Sequence, residues 1–283
     1  MKVAVTGATG FLGTNLMNSV LPYGRPLQVS EINDLNALHR SFSRGKVDAV
    51  IHLAAQTEVQ LSISEPTHAF HVNVMGTANV LEACRLASVP RVIVASSDKA
   101  YGPLNEPYVE TMPLNGRAPY DCSKACADMI AQSYIKTYGM SIAITRCGNI
   151  YGPEQKNMTT LIPYVISCFK KGQRPVLRSD GTMVRDWMYV SDAASAYQSL
   201  LNSKEVGAFN FSGGNPTTVL EVIGMIGELM GSDIKPDIQA TSKGEIQSQT
   251  LDCSKAKRVL GWEPKVSLRD GLKKTIEYWE LQS

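Results

Sequence analysis

The chain has 283 residues, 43% of them hydrophobic, and its 28 basic and 26 acidic side chains give a formal net charge of +2. This balance gives no electrostatic reason to expect nucleic acid or an anionic membrane as a partner. No apolar run approaches the ~18 to 20 residues of a membrane span and no signal-like segment precedes the first strand, so we expect no membrane partner and a cytoplasmic location. The six cysteines lack metal-site spacing. We therefore expect no bound metal, and structural thiols in a reducing compartment.

A glycine-rich turn near the start of the chain is the first feature that points to a ligand. An apolar β run at residues 3–5 leads into Gly7-x-x-Gly10-x-x-Gly13, and a helical stretch follows to about Val20. Glycines at this spacing allow a tight turn and let the backbone approach a pyrophosphate that faces the helix N-terminus. The pattern predicts a dinucleotide site with candidate contacts at Gly7, Thr9, Gly10, Phe11, Leu12 and Gly13.

Further strand and helix patterns alternate along the chain. Residues 47–55 read as a buried strand that ends in small residues such as Ala54, which let a cofactor lie against the backbone. His52 sits inside this strand pattern, which favours a core histidine over a catalytic base. A helical stretch at residues 73–84 and an apolar strand at 91–96 come next. The alternation predicts an α/β fold with a doubly wound parallel sheet.

Tyr120 and Lys124 are the most informative residues for chemistry. A phenol and an ammonium at positions i and i+4 of a helix lie on one face. A fixed cation beside a phenol favours the phenolate and lowers a pKa that is normally ~10, so we expect Tyr120 to be a base near neutral pH.

The run Ser97-Asp98-Lys99 follows the strand at residues 91–96. A paired carboxylate and ammonium can divide the roles of acid and base because each shifts the pKa of the other. The alternative is an exposed ion pair at a strand end, which would contribute little.

Eight motifs then carry a family resemblance, in one order along the chain. They are Thr6-Gly7-x-x-Gly10-x-x-Gly13, His52-Leu53-Ala54-Ala55, Asn73-x-x-Gly76-Thr77, Ser96-Ser97-x-x-x-Tyr101-Gly102, Tyr120-x-x-x-Lys124, Arg146-x-x-Asn149-x-Tyr151-Gly152-Pro153, Arg185-Asp186-Trp187-x-Tyr189-Val190 and Leu260-Gly261-Trp262-x-Pro264. Together they resemble the extended short-chain dehydrogenases/reductases, the nucleotide-sugar epimerase/dehydratase family.

The resemblance implies a Rossmann-type NAD(P)-binding domain at residues 1–149. A smaller C-terminal α/β part at 150–283 would bind a nucleoside diphosphate sugar, with a segment near 205–215 returning to the Rossmann sheet. It also implies a homodimer that pairs the helices at 67–87 and 120–138 in a four-helix bundle. The implied cofactor is NAD, with NADP not excluded, and the added contacts are Leu53, Ala54, Ala55, Thr57, Asn73, Tyr120 and Lys124.

One departure from the family pattern lies between Val20 and Val47, where there is room for one strand and one helix instead of two strands. Residues 27–35, followed by helical residues 36–42, look like the third strand of the family and its helix, so one strand-helix unit is expected to be deleted. Glu31 and Ile32 then match a pair that contacts adenine. Counting from the glycine turn gives Glu31 the alternative role of a ribose clamp.

The resemblance also implies the chemistry. Tyr120 would take the proton of a sugar 4-hydroxyl, Ser97 would hydrogen-bond the same oxygen, and Lys124 would hold the nicotinamide ribose. The triplet Ser97-Asp98-Lys99 looks like that of CDP-glucose 4,6-dehydratases, and its spacing to Tyr120 suits the CDP-glucose and GDP-mannose type. On that basis Asp98 is the acid at C6 and Lys99 the base at C5. The alternatives are a nucleotide-sugar 4-epimerase and a nucleotide-binding sensor without turnover.

Substrate contacts follow from the same resemblance. Asn149 and Arg185 match positions that contact the diphosphate in relatives, and Arg178 matches a position near the base or phosphate. An arginine fork suits phosphate oxygens geometrically.

Overall fold

The computed structural model of the protein describes residues 1–20, 25–27, 32–104, 107–241 and 246–282, with only the backbone of 25–27. Its strands are β1 (Val3–Thr6), β2 (Arg25–Leu27), β3 (Ala49–His52), β4 (Arg91–Ala95), β5 (Ile142–Cys147), β6 (Asn149–Tyr151), β7 (Val176–Leu177), β8 (Val184–Tyr189), β9 (Gly207–Phe211), β10 (Pro216–Thr218), β11 (Asp237–Ile238) and β12 (Ser248–Gln249).

The helices alternate with these strands. They are α1 (Phe11–Ser19), α2 (Leu35–Gly45), α3 (Val59–Ser64), α4 (Pro66–Phe70), α5 (Gly76–Leu86), α6 (Pro119–Tyr138), α7 (Leu161–Lys170), α8 (Val190–Leu201), α9 (Val219–Met230), α10 (Ser254–Leu260) and α11 (Leu268–Leu281). A π-helical turn, His71–Met75, joins α4 to α5, and a 3-10 turn, Asp98–Tyr101, follows β4. Within the described ranges, none of the helices is long and apolar enough to cross a bilayer.

Six parallel strands form the main sheet in the order β2-β1-β3-β4-β5-β9. Apolar side chains on its two faces pack into two separate cores, one against α1 and α8 and the other against α2, α5 and α6. A parallel sheet covered by helices on both faces is the doubly wound arrangement. The predicted α/β Rossmann-type fold is therefore confirmed.

The C-terminal half adds a smaller mixed sheet and a third core. Strand β8 pairs with β6, β10 and β12. Apolar residues of α7, α9 and α11 pack against this sheet. Strand β9 leaves this half and pairs with β5 in the main sheet, with Arg146 opposite Asn210. The two halves therefore share the main sheet.

The region between Val20 and Val47 differs in part from the sequence prediction. Its described residues hold one strand and one helix, as expected. Residues 28–31 of the strand predicted at 27–35 lie outside the described residues, and the prediction is wrong for residues 32–35, because Asp34 is the N-cap of α2 and the helix begins at Leu35. The carboxylate of Asp34 caps α2 by accepting from the Ala37 N–H at 2.9 Å. Strand β2 pairs directly with β1, the sheet position that belongs to the second strand of a Rossmann fold. Glu31 lies outside the described residues.

His52 is a core histidine, as predicted. Its side chain is buried at the end of β3, where Nδ1 shares a hydrogen bond with the Thr6 hydroxyl at 2.7 Å and Nε2 shares one with the Thr77 hydroxyl at 3.0 Å. Burial, together with the nearby charge of Lys124, lowers the pKa of His52 to about 3. The ring is therefore neutral at physiological pH and ties β1, β3 and α5 together.

The buried ring makes stability depend on pH. The pKa of His52 is about 3 in the folded chain and near ~6.5 in the unfolded chain, so the unfolded chain alone binds the proton as the pH falls between these values. The free energy of unfolding should then fall by up to about 1.4 kcal/mol per pH unit from this group. Urea unfolding between pH 4 and 7.5 should show a shallower pH dependence in His52→Gln than in the wild type, while the exposed control His68→Gln keeps the wild-type slope. Equal slopes in all three proteins would assign the dependence to other groups.

Candidate functional site

A cavity of about 560 Å³ opens at the carboxyl ends of the main-sheet strands. The chain turns in opposite directions after β1 and after β3, so this edge is the switch point where α/β sheets bind ligands. The wall is built from the glycine-rich turn, the segment after β3, the ends of β4 and β5, the start of α6, and the segment between β6 and α7.

The glycine-rich turn is shaped to bring backbone close to a ligand. Gly7 has φ +70, and a Cβ there would lie 2.7 Å from the Ala54 nitrogen. A Cβ on Gly13 would lie 2.2 Å from the Gly7 carbonyl oxygen. Gly10 is the N-cap of α1 and makes no side-chain capping bond. Because Gly10, Phe11 and the other turn residues line the cavity, the start of α1 can hold a phosphate.

Most of the predicted cofactor contacts come together in this wall. The lining residues among them are Gly7, Thr9, Gly10, Phe11, Leu12, Gly13, Leu53, Ala54, Ala55, Thr57, Tyr120 and Lys124.

Two other predicted cofactor residues lie elsewhere and are not among the described lining residues. Ile32 is fully buried in the core against Gly76. The Asn73 amide exchanges hydrogen bonds with the backbone of Gln56 and donates to the Ser123 hydroxyl at 2.8 Å. Asn73 therefore links the segment after β3 to α6, which is a structural role.

Tyr120 and Lys124 lie on one buried face of α6, as their spacing predicts. The Lys124 ammonium donates to the Ala95 carbonyl at 2.9 Å. Burial lowers the pKa of Lys124 to about 8, against the opposing charges of Cys147 and Asp128. The amine is thus close to titrating at neutral pH.

The expectation that Lys124 lowers the pKa of Tyr120 is wrong for the protein alone. The pKa of Tyr120 is raised above its usual value, first by burial and second by the negative charge of Asp98, while a hydrogen bond with Ser97 opposes the shift. The Lys124 ammonium points its hydrogen bond at a backbone carbonyl instead of the phenol. Tyr120 is therefore a neutral phenol at physiological pH.

Ser97, Asp98 and Lys99 form a connected set at the start of the 3-10 turn. The Ser97 hydroxyl donates to the Asp98 carboxylate at 3.0 Å and accepts from the Lys99 N–H at 3.2 Å. The Lys99 ammonium donates to Asp98 Oδ1 at 3.4 Å and to Asn149 Oδ1 at 3.0 Å. Asp98 is only 1% exposed, and all four residues line the cavity. The interpretation of Asp98 and Lys99 as an exposed surface pair is therefore wrong.

The predicted substrate residues separate into two groups. Ser97 and Asn149 line the cavity. Arg178 is exposed beyond the end of β7, and Arg185 is buried in β8, where it donates to the Val184 carbonyl at 2.8 Å. Neither arginine is among the described residues that line the cavity.

Sequence reasoning missed several residues of the wall, because they lie in a loop without a motif. Gln155, Asn157 and Thr160 lie between β6 and α7 and line the cavity together with Trp187. The Gln155 amide nitrogen donates to the Ile150 carbonyl at 3.2 Å. The available signal was position alone, since these residues directly follow the Tyr151-Gly152-Pro153 motif.

Asp121 was also missed, although it directly follows Tyr120. Burial raises the pKa of its carboxyl to about 6, and the charges of Lys99 and Asp98 act on it in opposite directions. Asp121 therefore adds a group that titrates near neutral pH beside the Asp98–Lys99 pair.

Comparison with known proteins agrees with this geometry. The family model described as GDP-mannose 4,6 dehydratase matches residues 25–275. A dTDP-glucose 4,6-dehydratase from Mycolicibacterium smegmatis is 32% identical over 99% of this chain and 93% of that protein.

Two solved structures show the same likeness in three dimensions. A UDP-glucose 4-epimerase from Thermotoga maritima, crystallised with UDP-glucose, superposes with a TM-score of 0.93 at 30% identity and covers 100% of this chain and 99% of its own. A dTDP-glucose 4,6-dehydratase from Streptomyces venezuelae, with NAD and TYD bound, has a TM-score of 0.92 at 29% identity and covers 99% and 97% of the two chains.

The glycine-rich turn can be tested by adding single methyl groups. Gly13→Ala places a Cβ against the Gly7 carbonyl at 2.2 Å, whereas the corresponding contact for Gly10→Ala is 3.3 Å. Overpacking of the first kind should lower the melting temperature by roughly 4 °C or more, and the second substitution should change it much less. Thermal unfolding followed by circular dichroism measures both. Equal melting temperatures for the two variants would show that the turn relaxes without cost.

Proposed function

We propose that this chain, which belongs to the extended short-chain dehydrogenase/reductase family of nucleotide-sugar dehydratases and epimerases, is an NAD-dependent nucleotide-sugar 4,6-dehydratase. The observation that carries the proposal is the placement of Asp98 and Lys99 in the same cavity wall as Tyr120 and Lys124. Dehydration at C5 and C6 needs an acid and a base in addition to the group that accepts the proton of the 4-hydroxyl. The wall contains Asp98 and Lys99 for the first purpose and Tyr120 for the second.

The proposed cofactor is NAD, held by the glycine-rich turn and the start of α1. Crystal structures of relatives from Streptomyces venezuelae and Thermus thermophilus contain NAD. The close approach of Gly7 to Ala54 leaves no room for a side chain at the turn, which fits a pyrophosphate lying against backbone. When bound, NAD would supply a hydride acceptor that is regenerated within each turnover, and one positive charge.

Tyr120 would accept the proton of the sugar 4-hydroxyl. Its raised pKa in the protein alone means that the phenolate forms only when positive charge or further hydrogen bonds reach the phenol oxygen. A hydrogen bond between Tyr120 and Ser97 already opposes part of the rise in that pKa. Lys124, with a pKa of about 8, can carry positive charge one helical turn away.

Asp98 and Lys99 would then carry out the elimination. The C5–H bond would break and its proton would go to Lys99, while the C6–O bond would break and Asp98 would give a proton to the leaving hydroxide, which departs as water, so that a C5=C6 double bond forms. Return of the hydride to C6 and of a proton to C5 would then give the 4-keto-6-deoxy product.

The nucleoside diphosphate sugar would occupy the remainder of the cavity, with Asn149 among its contacts. Asn149 is held by Lys99 at 3.0 Å, so a substrate that touches Asn149 also reaches the catalytic pair. Relatives have been crystallised with UDP-glucose and with UDP-glucuronic acid.

A 4-epimerase is the second candidate. The observation in its favour is the superposition on the Thermotoga maritima epimerase over the whole chain. Incubation with dTDP-glucose, CDP-glucose, GDP-mannose, UDP-glucose and UDP-N-acetylglucosamine separates the two by liquid chromatography coupled to mass spectrometry, because chromatography resolves an epimer from its substrate. Loss of one water supports dehydration, an isomer of unchanged mass identifies an epimerase, and no conversion of any of them supports a sensor.

We further propose the division into residues 1–149 and 150–283, and a homodimer through α4 to α6. Met75 and Met129 are 51% and 60% exposed on these helices, an apolar surface that a second copy would cover. Of the predicted partner face of α6, Gln132 is exposed with Met129, whereas Ala125 is buried in the subunit itself.

A cytoplasmic location is supported by the six cysteines, all of which are free thiols.

Two substitutions separate the first half of the reaction from the second. Tyr120→Phe should lower product formation by at least about 10²-fold, because it removes the group that serves the 4-hydroxyl. Lys99→Ala should block the loss of water while C4 oxidation continues, so absorbance of reduced nicotinamide should build up. Lys136→Ala, an exposed lysine of α6, is the control and should behave as wild type. Undiminished dehydration by Lys99→Ala would remove Lys99 from the mechanism.

The carboxyl of Asp121 should set part of the pH profile. Its negative charge raises the pKa of Tyr120 and is felt by Lys99. Asp121→Asn removes this charge, so Tyr120 should lose its proton more readily, and the rising limb of kcat/KM should move to lower pH by roughly half a unit. Asp121→Glu is the matched control that retains the charge. A limb that stays in place, or moves to higher pH, would show that Asp121 does not act on Tyr120.

A further inference from the structure

A buried ion pair lies directly behind the proposed catalytic residues. Arg146 of β5 and Asp128 of α6 are 2% and 0% exposed. The guanidinium binds the carboxylate with two parallel hydrogen bonds, from Nε at 2.8 Å and from Nη2 at 3.0 Å. A pair of this geometry fixes both distance and orientation. It therefore sets the position of α6 relative to β5.

The third arm of Arg146 reaches the 3-10 turn. Nη1 donates to the Tyr101 hydroxyl at 2.9 Å and to the Glu110 carbonyl at 3.1 Å. The Tyr101 hydroxyl in turn donates to Asn210 Oδ1 at 2.7 Å. Burial raises the pKa of Tyr101 to about 12, so the hydroxyl keeps the proton that this last bond requires. Tyr101 is the final residue of the turn that begins with Asp98.

Arg146 therefore joins the two segments that carry the chemistry. Asp128 stands one helical turn beyond Lys124 on α6, on the same buried face. Tyr101 stands at the end of the turn that presents Asp98 and Lys99. Together with the Lys124–Ala95 hydrogen bond, this polar chain can hold the Tyr120–Lys124 face in register with the Asp98–Lys99 pair. Ion pairs buried this deeply are costly to form, so a positional role explains why one is present.

We propose that the network of Arg146, Asp128, Tyr101 and Asn210 is a positioning device that holds Lys99 against Asn149 and Asp98. None of these four residues is among the described residues that line the cavity, so they act through the turn and not on the substrate. The catalytic consequence rests on the proposed function, but the position of Lys99 can be measured without any substrate.

The test uses Tyr101→Phe, which removes one hydroxyl. The ring keeps its contacts with the Tyr108 ring at 4.7 Å and the Arg146 guanidinium at 4.8 Å, so the variant should fold. Arg146→Lys is the stronger change, but it breaks a buried bidentate pair and serves only as a supplement. Tyr134→Phe is the matched control, because Tyr134 lies on α6 like Asp128, but its hydroxyl donates to Glu82 of α5, outside the network.

The first readout is the rate at which sulfosuccinimidyl acetate acetylates each lysine of the unliganded protein, followed by peptide mass spectrometry. In Tyr101→Phe the rate at Lys99 should rise roughly fivefold, the factor that one lost hydrogen bond represents. Lys124 and the exposed Lys136 should keep their wild-type rates. An unchanged rate at Lys99, or an equal rise at Lys99 and Lys124, would overturn the proposal, the latter because it indicates general loosening.

The second readout is steady-state kinetics with the sugar nucleotide that the wild type converts in the screen of five. For Tyr101→Phe, kcat for loss of water should fall about tenfold while KM stays within about twofold, because the substrate contacts are intact. A rise in KM at constant kcat would contradict positioning of Lys99. If the wild type converts none of the five, the proposed function fails, and the acetylation rates still decide the role of the network.

Discussion

The packing of α6 against β4 and β5 is the constraint on which the site depends. One face of this helix carries Tyr120, Lys124 and Asp128 at successive turns, and all three side chains are buried. A polar stripe can be buried only where each group finds a partner. The Ala95 carbonyl accepts from Lys124, Arg146 pairs with Asp128, and Tyr120 remains at the cavity wall with Ser97. The site therefore lies where the buried face of α6 borders the cavity and not the apolar core.

Burial also explains the charge state of that stripe. Asp128 has a guanidinium partner, that of Arg146, at 2.8 Å. Lys124 has only a backbone carbonyl, and its pKa falls to about 8, while the pKa of Tyr120 rises. The buried stripe therefore presents a neutral phenol beside an amine that is close to titrating. Perturbed pKa values of this kind cluster at functional clefts.

The sequence predicted the features that arise from local pattern. These features are the glycine-rich turn, the strand around His52 and the i, i+4 pair on α6. The structure confirms all three. The strand prediction was wrong for residues 32–35, because the apolar pattern there belongs to the start of a helix that Asp34 caps. Ile32 and Asn73 match motif positions, but their side chains turn into the core and toward Gln56. The pKa of Tyr120 required the depth of burial and the position of Asp98, which spacing alone does not give.

The strongest argument for elimination over simple epimerisation is energetic. A 4-epimerase needs room for a ketone to rotate, and neutral wall residues provide it at no electrostatic cost. Here a carboxylate that is 1% exposed stands beside an ammonium in that wall, and burying such a pair carries a desolvation penalty that its own attraction barely offsets. Ser97 and Asn149 bind the two partners from either side and keep them fixed. A carboxyl and an amine fixed side by side are suited to giving a proton at one carbon while taking another at its neighbour. Loss of water from C5 and C6 requires both proton transfers, whereas rotation of a ketone requires neither.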